Sequence, residues 1–147
     1  MIEAVREFLS LFEGEPLEAE KRLKALAIAL DKLSCAYHQT QRTYSDSVIE
    51  PPRSDPNDEA LISKYFPDFG FYPIVDPMAD VSQTPMVADA IGDLRDIRRD
   101  LLEVLWRWEN IGQADATDAF CESCEIHWGR FHLPGLRHYV SARLLNN

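Results

Sequence analysis

The sequence has no long hydrophobic run, since its longest apolar stretch is residues 25–30 of a 147-residue chain. A transmembrane helix needs about 20 apolar residues, so no membrane span is predicted. Residues 1–13 carry three glutamates and neither a basic leader nor a long apolar core, which argues against a secretory signal. These absences predict a cytoplasmic protein with no membrane partner.

Glycine is scarce, and lysine is confined to the first half of the chain. The six glycines stand singly, so there is no phosphate-binding glycine loop, dinucleotide fingerprint or glycine-flanked serine elbow. No lysine follows Lys64, which excludes a catalytic lysine in the second half. Phosphoryl and acyl transfer through these motifs are therefore not predicted, and no cofactor is expected.

Basic residues are outnumbered, with 15 Lys and Arg against 25 Asp and Glu, giving a formal charge of −10. Binding of a nucleic acid needs a basic face that releases counterions, so nucleic acid is not an expected partner.

Cysteine is also rare and odd in number, with Cys35, Cys121 and Cys124. This pattern favours reduced thiols over a disulfide framework.

Apolar side chains recur every three or four positions in five stretches, which is typical of amphipathic helices. We predict helices over 2–13, 17–41, 56–66, 85–110 and 115–133, with Pro134 and Gly135 breaking the last before it continues over 136–145. Residues 42–56 and 67–85 hold most of the prolines and are predicted as loops, the second being a lid or a structural plug. The predicted fold class is all-α, a bundle of about five helices with a long proline- and aromatic-rich loop, in one domain spanning 1–147.

Five acidic residues share one face of the fourth predicted helix and form an acidic stripe: Asp89, Asp93, Asp96, Asp100 and Glu103. Like charges at spacings of three and four repel by a few tenths of a kcal/mol (roughly) per pair, so the stripe needs compensation. There are three alternatives for this compensation: the stripe is neutralised by Arg95 and Arg99, it binds a basic protein partner, or it binds a metal ion.

Arg98 lies in the middle of the apolar arc of the same helix. A guanidinium cannot be deprotonated, so its burial requires a paired carboxylate or a bound anion. The alternative is that the side chain extends outward to water. We expect a charge-assisted contact with an inward carboxylate.

Cys121, Cys124 and His127 are spaced by three along the fifth predicted helix, which places two thiols and an imidazole on one face. Zinc accepts such ligands, but a structural zinc site needs four, and its cysteines normally lie in a tight turn. We therefore expect apolar thiols and a metal-free His127 buried against Trp128 or Phe131. A metal site at Cys121, Cys124 and His127 is the alternative.

Two strings, DLRDIRRDLLEVLWRW at 93–108 and IHWGR at 126–130, resemble the signature of an uncharacterised bacterial family, the domain-of-unknown-function family 5063. The resemblance is strongest over 85–131. It implies an all-helical domain in which His127 and Trp128 face inward near an Asp- and Arg-rich helix, and it implies no established activity. The family pattern would place a second histidine directly after the arginine, whereas this chain has Phe131 and then His132. That departure argues against a two-histidine metal site.

These observations predict a non-enzymatic protein-binding or regulatory module whose acidic stripe meets a basic protein. The candidate contact residues are Asp89, Asp93, Asp96, Asp100, Glu103, Arg98, His127, Trp128 and Arg130. The alternative is a small enzyme or metal-binding protein that uses a Cys/His/Arg pocket in the bundle. The first function leaves the stripe exposed, whereas the second needs a solvated pocket with convergent polar groups. Homo-oligomer formation is left open.

Overall fold

The structure is a computed structural model that describes residues 1–52 and 58–146. Six α-helices, two strands and one π-helical segment lie within these ranges: α1 (Ile2–Ser10), α2 (Ala19–Gln39), α3 (Asp58–Tyr65), β1 (Phe71–Ile74), β2 (Met86–Asp89), α4 (Ala90–Asn110), α5 (Gln113–Ile126), the π segment (Trp128–His132) and α6 (Leu133–Leu145). The predicted all-α bundle is confirmed, and β1 and β2 are a small addition to it. None of the helices in these ranges is long and apolar enough to cross a membrane.

The start of α4 differs from the prediction. The chain is extended over Met86–Asp89 because these residues pair antiparallel with Phe71–Ile74. The helix begins at Ala90, and its cap is Asp89, whose carboxylate accepts a hydrogen bond from the backbone N–H of Ile91. The cap predicted for the third helix, Asp55, lies outside the described residues.

The strand β1 makes the long loop a structural plug at this point. Tyr72 is buried, and its ring stacks on Tyr139 of α6 with the ring centroids 4.8 Å apart. A Cβ on Gly135 would lie 2.6 Å from Ile74 Cδ1 and 2.9 Å from the Tyr72 hydroxyl, so a larger residue here would force these two side chains to shift. The hairpin therefore covers the side of the bundle where α4 meets α6.

The core forms around α4, which packs against α1, α3, α5, α6 and the π segment. Its apolar face, with Leu94, Ile97, Leu101 and Val104, is completely or almost completely buried. Burial of each such side chain contributes about 1.5–3 kcal/mol to folding. This packing fixes one edge of α4 against the segment that follows α5.

The fifth predicted helix breaks earlier than expected. It ends at Ile126, and the π segment follows at once, with the N–H of Leu133 bonded to the carbonyl of Trp128, five residues earlier. Pro134 does not break a helix, because it lies in the first turn of α6, where a missing N–H costs nothing. The irregular backbone is thus at residues 127–132, next to α4.

Candidate metal centre

The π segment brings His127 and His132 together. In a regular α-helix, residues five apart point about 140° away from each other. The wider π turn, with its bonds between residues five apart, reduces this angle. The two imidazole rings lie edge to face with their centroids 4.8 Å apart. A single irregular turn therefore places both histidines on the side facing α4.

Gly129 makes this turn sterically feasible. A Cβ at this position would lie 2.2 Å from the sulfur of Cys124 and 2.7 Å from its carbonyl oxygen. The backbone carbonyl cannot move aside as a flexible side chain can. Glycine, which has no side chain, is therefore the residue type that fits at position 129 beneath the turn.

Each histidine is oriented by its own carboxylate on α4. His127 Nδ1 lies 2.6 Å from Asp100 Oδ2, and His132 Nδ1 lies 2.7 Å from Asp93 Oδ1. An ionised carboxylate can only accept, so it holds the proton of each neutral imidazole on Nδ1. Both Nε2 atoms then carry lone pairs.

The two Nε2 atoms face each other at 3.2 Å. Two lone pairs repel at this distance unless a proton or a metal ion lies between them. Two ligand atoms at about 2.0–2.1 Å from one ion are roughly 2.9–3.4 Å apart for tetrahedral or octahedral angles. The observed separation matches that of two ligands on the same ion.

Asp96 is the candidate for a third ligand. A carboxylate oxygen of Asp96 and one nitrogen each of His127 and His132 all lie within 4.8 Å of one another. Asp96 Oδ2 is 3.8 Å from His132 Nε2, so the carboxylate would have to move closer to the two imidazoles to share an ion with them. Two imidazoles and one carboxylate are a ligand set that transition metals accept.

A second layer of contacts holds these groups in place. The Tyr72 hydroxyl donates to Asp93 Oδ2 at 2.5 Å. Arg95 and Arg99 both contact Asp96 Oδ1 at 3.3 Å, and Arg99 also approaches Asp100 Oδ1 at 3.8 Å. A histidine ligand with a carboxylate on its other nitrogen is the arrangement that orients imidazoles in metal sites.

The acidic stripe is not the open surface that the sequence predicted. Asp93 is buried, and the side chains of Asp96 and Asp100 are only 16% and 17% exposed. Asp89 caps α4, and Glu103 bonds to Arg107. The periodicity correctly grouped these acids, but it does not show that the π segment packs against them.

Arg98 makes the contact that was expected of it. Its guanidinium forms a salt bridge with Asp58 of α3, and the two side chains are 16% and 7% exposed. Arg98 also lies over the ring of Phe12 with its Cζ 5.7 Å from the centroid. This pair is separate from the histidines and joins α3 to α4.

His127 was predicted to be largely buried against Trp128 or Phe131, and this prediction is correct only in part. Its side chain is 33% exposed and thus mostly covered, but the ring that it contacts is that of His132. Trp128 is the buried residue, packed on Phe120 and donating from Nε1 to Ser123 Oγ. Arg130 is exposed and does not belong to the cluster.

The alternative ligand set at Cys121 and Cys124 does not assemble, because the cluster within the described residues consists of Asp96, His127 and His132. Both thiols are buried. Burial raises the pKa of Cys121 and, with neighbouring Cys121 and Glu125, raises that of Cys124 to about 12. They are therefore protonated apolar groups at neutral pH, as the sequence suggested.

Sequence reasoning named His132 but argued against a two-histidine site, whereas the structure brings His127 and His132 together, and it missed Tyr72. His132 lies five residues from His127, a spacing that places it on another face of any regular helix. Tyr72 belongs to a proline-rich segment whose packing no periodicity describes. The available signal near His132 was Gly129, since an isolated glycine inside a helical pattern weakens the prediction of a regular helix.

A groove of about 410 Å³ begins beside His127 and Asp100 and continues between α4 and α5. Its walls carry carboxylates and serines, many of them bonded to one another or to arginine. Arg107 bonds to Glu103 and Asp115, and Ser45 donates to Asp115. This polar groove therefore adjoins His127.

No family model matches the chain, and no curated protein matches it. Among solved structures, the chain is similar to the crystal structure of protein BF1032 from Bacteroides fragilis, with a TM-score of 0.73 at 12% sequence identity. The match covers 97% of this chain and 91% of that one. At this identity the likeness concerns the fold, and it shows that nearly the whole chain follows a helical architecture already seen in a solved structure.

Proposed function

We propose that the protein binds one divalent transition-metal ion between His127 Nε2, His132 Nε2 and a carboxylate oxygen of Asp96. The observation that carries the proposal is the 3.2 Å approach of two Nε2 atoms whose Nδ1 partners are both carboxylates. Zinc, iron(II), cobalt(II) and nickel(II) suit a ligand set of this kind, whereas calcium and magnesium prefer oxygen ligands alone.

The proposed ligands are accompanied by residues that orient them. Asp93 and Asp100 hold the histidines, and Tyr72 in turn holds Asp93. Loss of such outer partners typically costs about 10- to 100-fold in metal affinity. A shared proton between the two Nε2 atoms is the competing explanation of their distance, and it requires no metal.

Metal titration separates the two explanations. The protein, freed of metal by a chelator, is titrated with Co(II) and Zn(II), and the bound ion is counted by elemental analysis. We expect one ion per chain. His132→Ala and His127→Ala should each lower the metal affinity by more than the roughly 100-fold that is typical when a residue that only orients a ligand is removed. His138→Ala is the matched control, because His138 is exposed on α6.

Thermal melts of all variants in chelator establish that they are folded. If His127→Ala and His132→Ala bind Co(II) as tightly as the parent, or if the parent binds less than a tenth of an equivalent at micromolar metal, the proposal is wrong.

The protein-binding role predicted from the sequence uses the same acidic stripe and stays a proposal. Its expected surface would be open, whereas Asp93 is buried and Asp96 and Asp100 are mostly covered, which supports the metal site instead. Pull-downs at low and high salt with an Asp93→Asn, Asp96→Asn, Asp100→Asn variant test for a basic partner. A cytoplasmic location is part of the proposal, supported by three free cysteines.

A further inference from the structure

We propose that the bound ion accepts an oxyanion as an additional ligand, and that the guanidinium groups of Arg95 and Arg99 help to hold it. This inference rests on the proposed metal site and names the class of ligand that the site takes. Phosphate and carboxylate groups share the required chemistry, a negatively charged oxygen that can bind a metal and accept hydrogen bonds from arginine.

The ion would have open coordination positions. Within the part of the chain that the structure describes, three residues contribute to the cluster: Asp96, His127 and His132. Zinc binds four ligands, and other transition metals bind up to six, so at least one position is left for an exogenous group. Sites with three protein ligands and an open position are typical of reactive ions, while structural zinc sites are closed.

Two arginines contact the carboxylate of Asp96, which is one of the three proposed ligands. Arg95 Nε and Arg99 Nη1 each approach Asp96 Oδ1 at 3.3 Å, while Asp96 Oδ2 faces His132. Their side chains are 39% and 42% exposed, so part of each guanidinium faces solvent. A guanidinium carries five N–H donors, and these contacts leave donors for an oxyanion bound next to Asp96.

The balance of charge changes when an ion binds. Asp96 and Asp100 face the guanidiniums of Arg95 and Arg99, Glu59 also contacts Arg95, and Asp93 faces His132, so these six groups carry a formal charge of −2 that favours a cation. A divalent ion neutralises this charge, so that an oxyanion is no longer repelled. The groove beside His127 is lined by five carboxylates and one arginine, so we place the oxyanion on the side of Arg95 and Arg99 instead.

The test uses the full chain loaded with Co(II), and inorganic phosphate and acetate as probes. We expect the anions to bind with millimolar or tighter affinity and to change the visible spectrum of the Co(II). Phosphate should bind more tightly than acetate if the natural ligand carries a phosphoryl group, and acetate more tightly if it carries a carboxylate. Chelator-treated protein should bind neither anion. Arg99→Ala and Arg95→Ala, measured at saturating Co(II), should weaken anion binding about tenfold each.

Arg6→Ala is the control, because Arg6 is exposed on α1. If one equivalent of Co(II) binds but neither anion changes its spectrum, the inference is wrong and the metal site stands. Equal anion affinity in the parent, Arg95→Ala and Arg99→Ala also overturns it. A chain that binds no Co(II) contradicts the proposed function first, so the two failures are distinguishable.

Discussion

The hydroxyl of Tyr72 donates a hydrogen bond to Asp93, the carboxylate that orients His132. The tyrosine is on β1 and the acid is on α4, so one hydrogen bond connects the small sheet to the residues that orient the proposed metal site. Burial and the neighbouring Asp93 carboxylate raise the pKa of Tyr72, which keeps the phenol protonated and donating at neutral pH.

Tyr72→Phe should therefore weaken Co(II) binding about 10- to 100-fold without changing the stoichiometry, because Asp93 loses the donor that fixes it. Competition with a chelator of known affinity measures the change. Tyr139→Phe is the control, since it keeps the stacked ring but removes a hydroxyl that has no contact with Asp93. Equal losses in the two variants would show that the effect is one of packing only.

Gly129→Ala should destabilise the fold by about 1–3 kcal/mol and also weaken metal binding, because the new methyl group would collide with the Cys124 carbonyl and distort the π turn. Urea unfolding with and without Zn(II) measures both effects. Gly70→Ala should change stability by less than about 0.5 kcal/mol, since nothing lies within 4 Å of the added Cβ. A fully stable Gly129→Ala protein would contradict the role assigned to this glycine.

Arg98→Met should destabilise the protein by about 3–5 kcal/mol, because it leaves the buried carboxylate of Asp58 without its cation. The free energy of unfolding in urea at pH 7 is the measurement. Arg130→Met, at an exposed position, should cost less than about 0.5 kcal/mol. A parent-like melt for Arg98→Met would indicate that the salt bridge does not form in solution.

Asp115 should make stability depend on pH in the acid range. Burial disfavours its charge, but hydrogen bonds from Arg107 and Ser45 and the charge of Arg107 outweigh this and lower the pKa of Asp115. An acid whose pKa is lower in the folded state stabilises the protein when the pH is above the pKa of the unfolded chain, about 3.9 for Asp. That stabilisation is lost as the pH falls through the pKa of the folded state.

Asp115→Asn should thus cost about 1–3 kcal/mol at pH 7 and less below about pH 4, where the parent loses the same ionic contacts. Urea unfolding at a series of pH values gives the curve, with Asp46→Asn at an exposed position as the control. A pH-independent difference between parent and Asp115→Asn would be inconsistent with this account.

The fold was predictable because periodicity reports which face of a helix is apolar, and the same reasoning found the contact of Arg98 with an inward carboxylate. The candidate metal site was only half predictable. The shared face of Asp93, Asp96 and Asp100 followed from helical geometry, but the element packed on that face did not. The pairing of His132 with His127 was argued against because it depends on an irregular turn, and Tyr72 was missed because its contact spans 21 positions of proline-rich sequence.

The π segment also has a consequence for how the protein unfolds. An ion held by Asp96 and His132 would act as a removable cross-link, closing a chain segment of about 37 residues whose loop entropy a disulfide would reduce by roughly 4 kcal/mol. The ligands all belong to the second half of the chain, so the ion would not contact α1 or α2 directly. The free energy of unfolding in urea would rise when the ion binds, and amide hydrogen exchange would slow most in α4 and the π segment, which the ion joins.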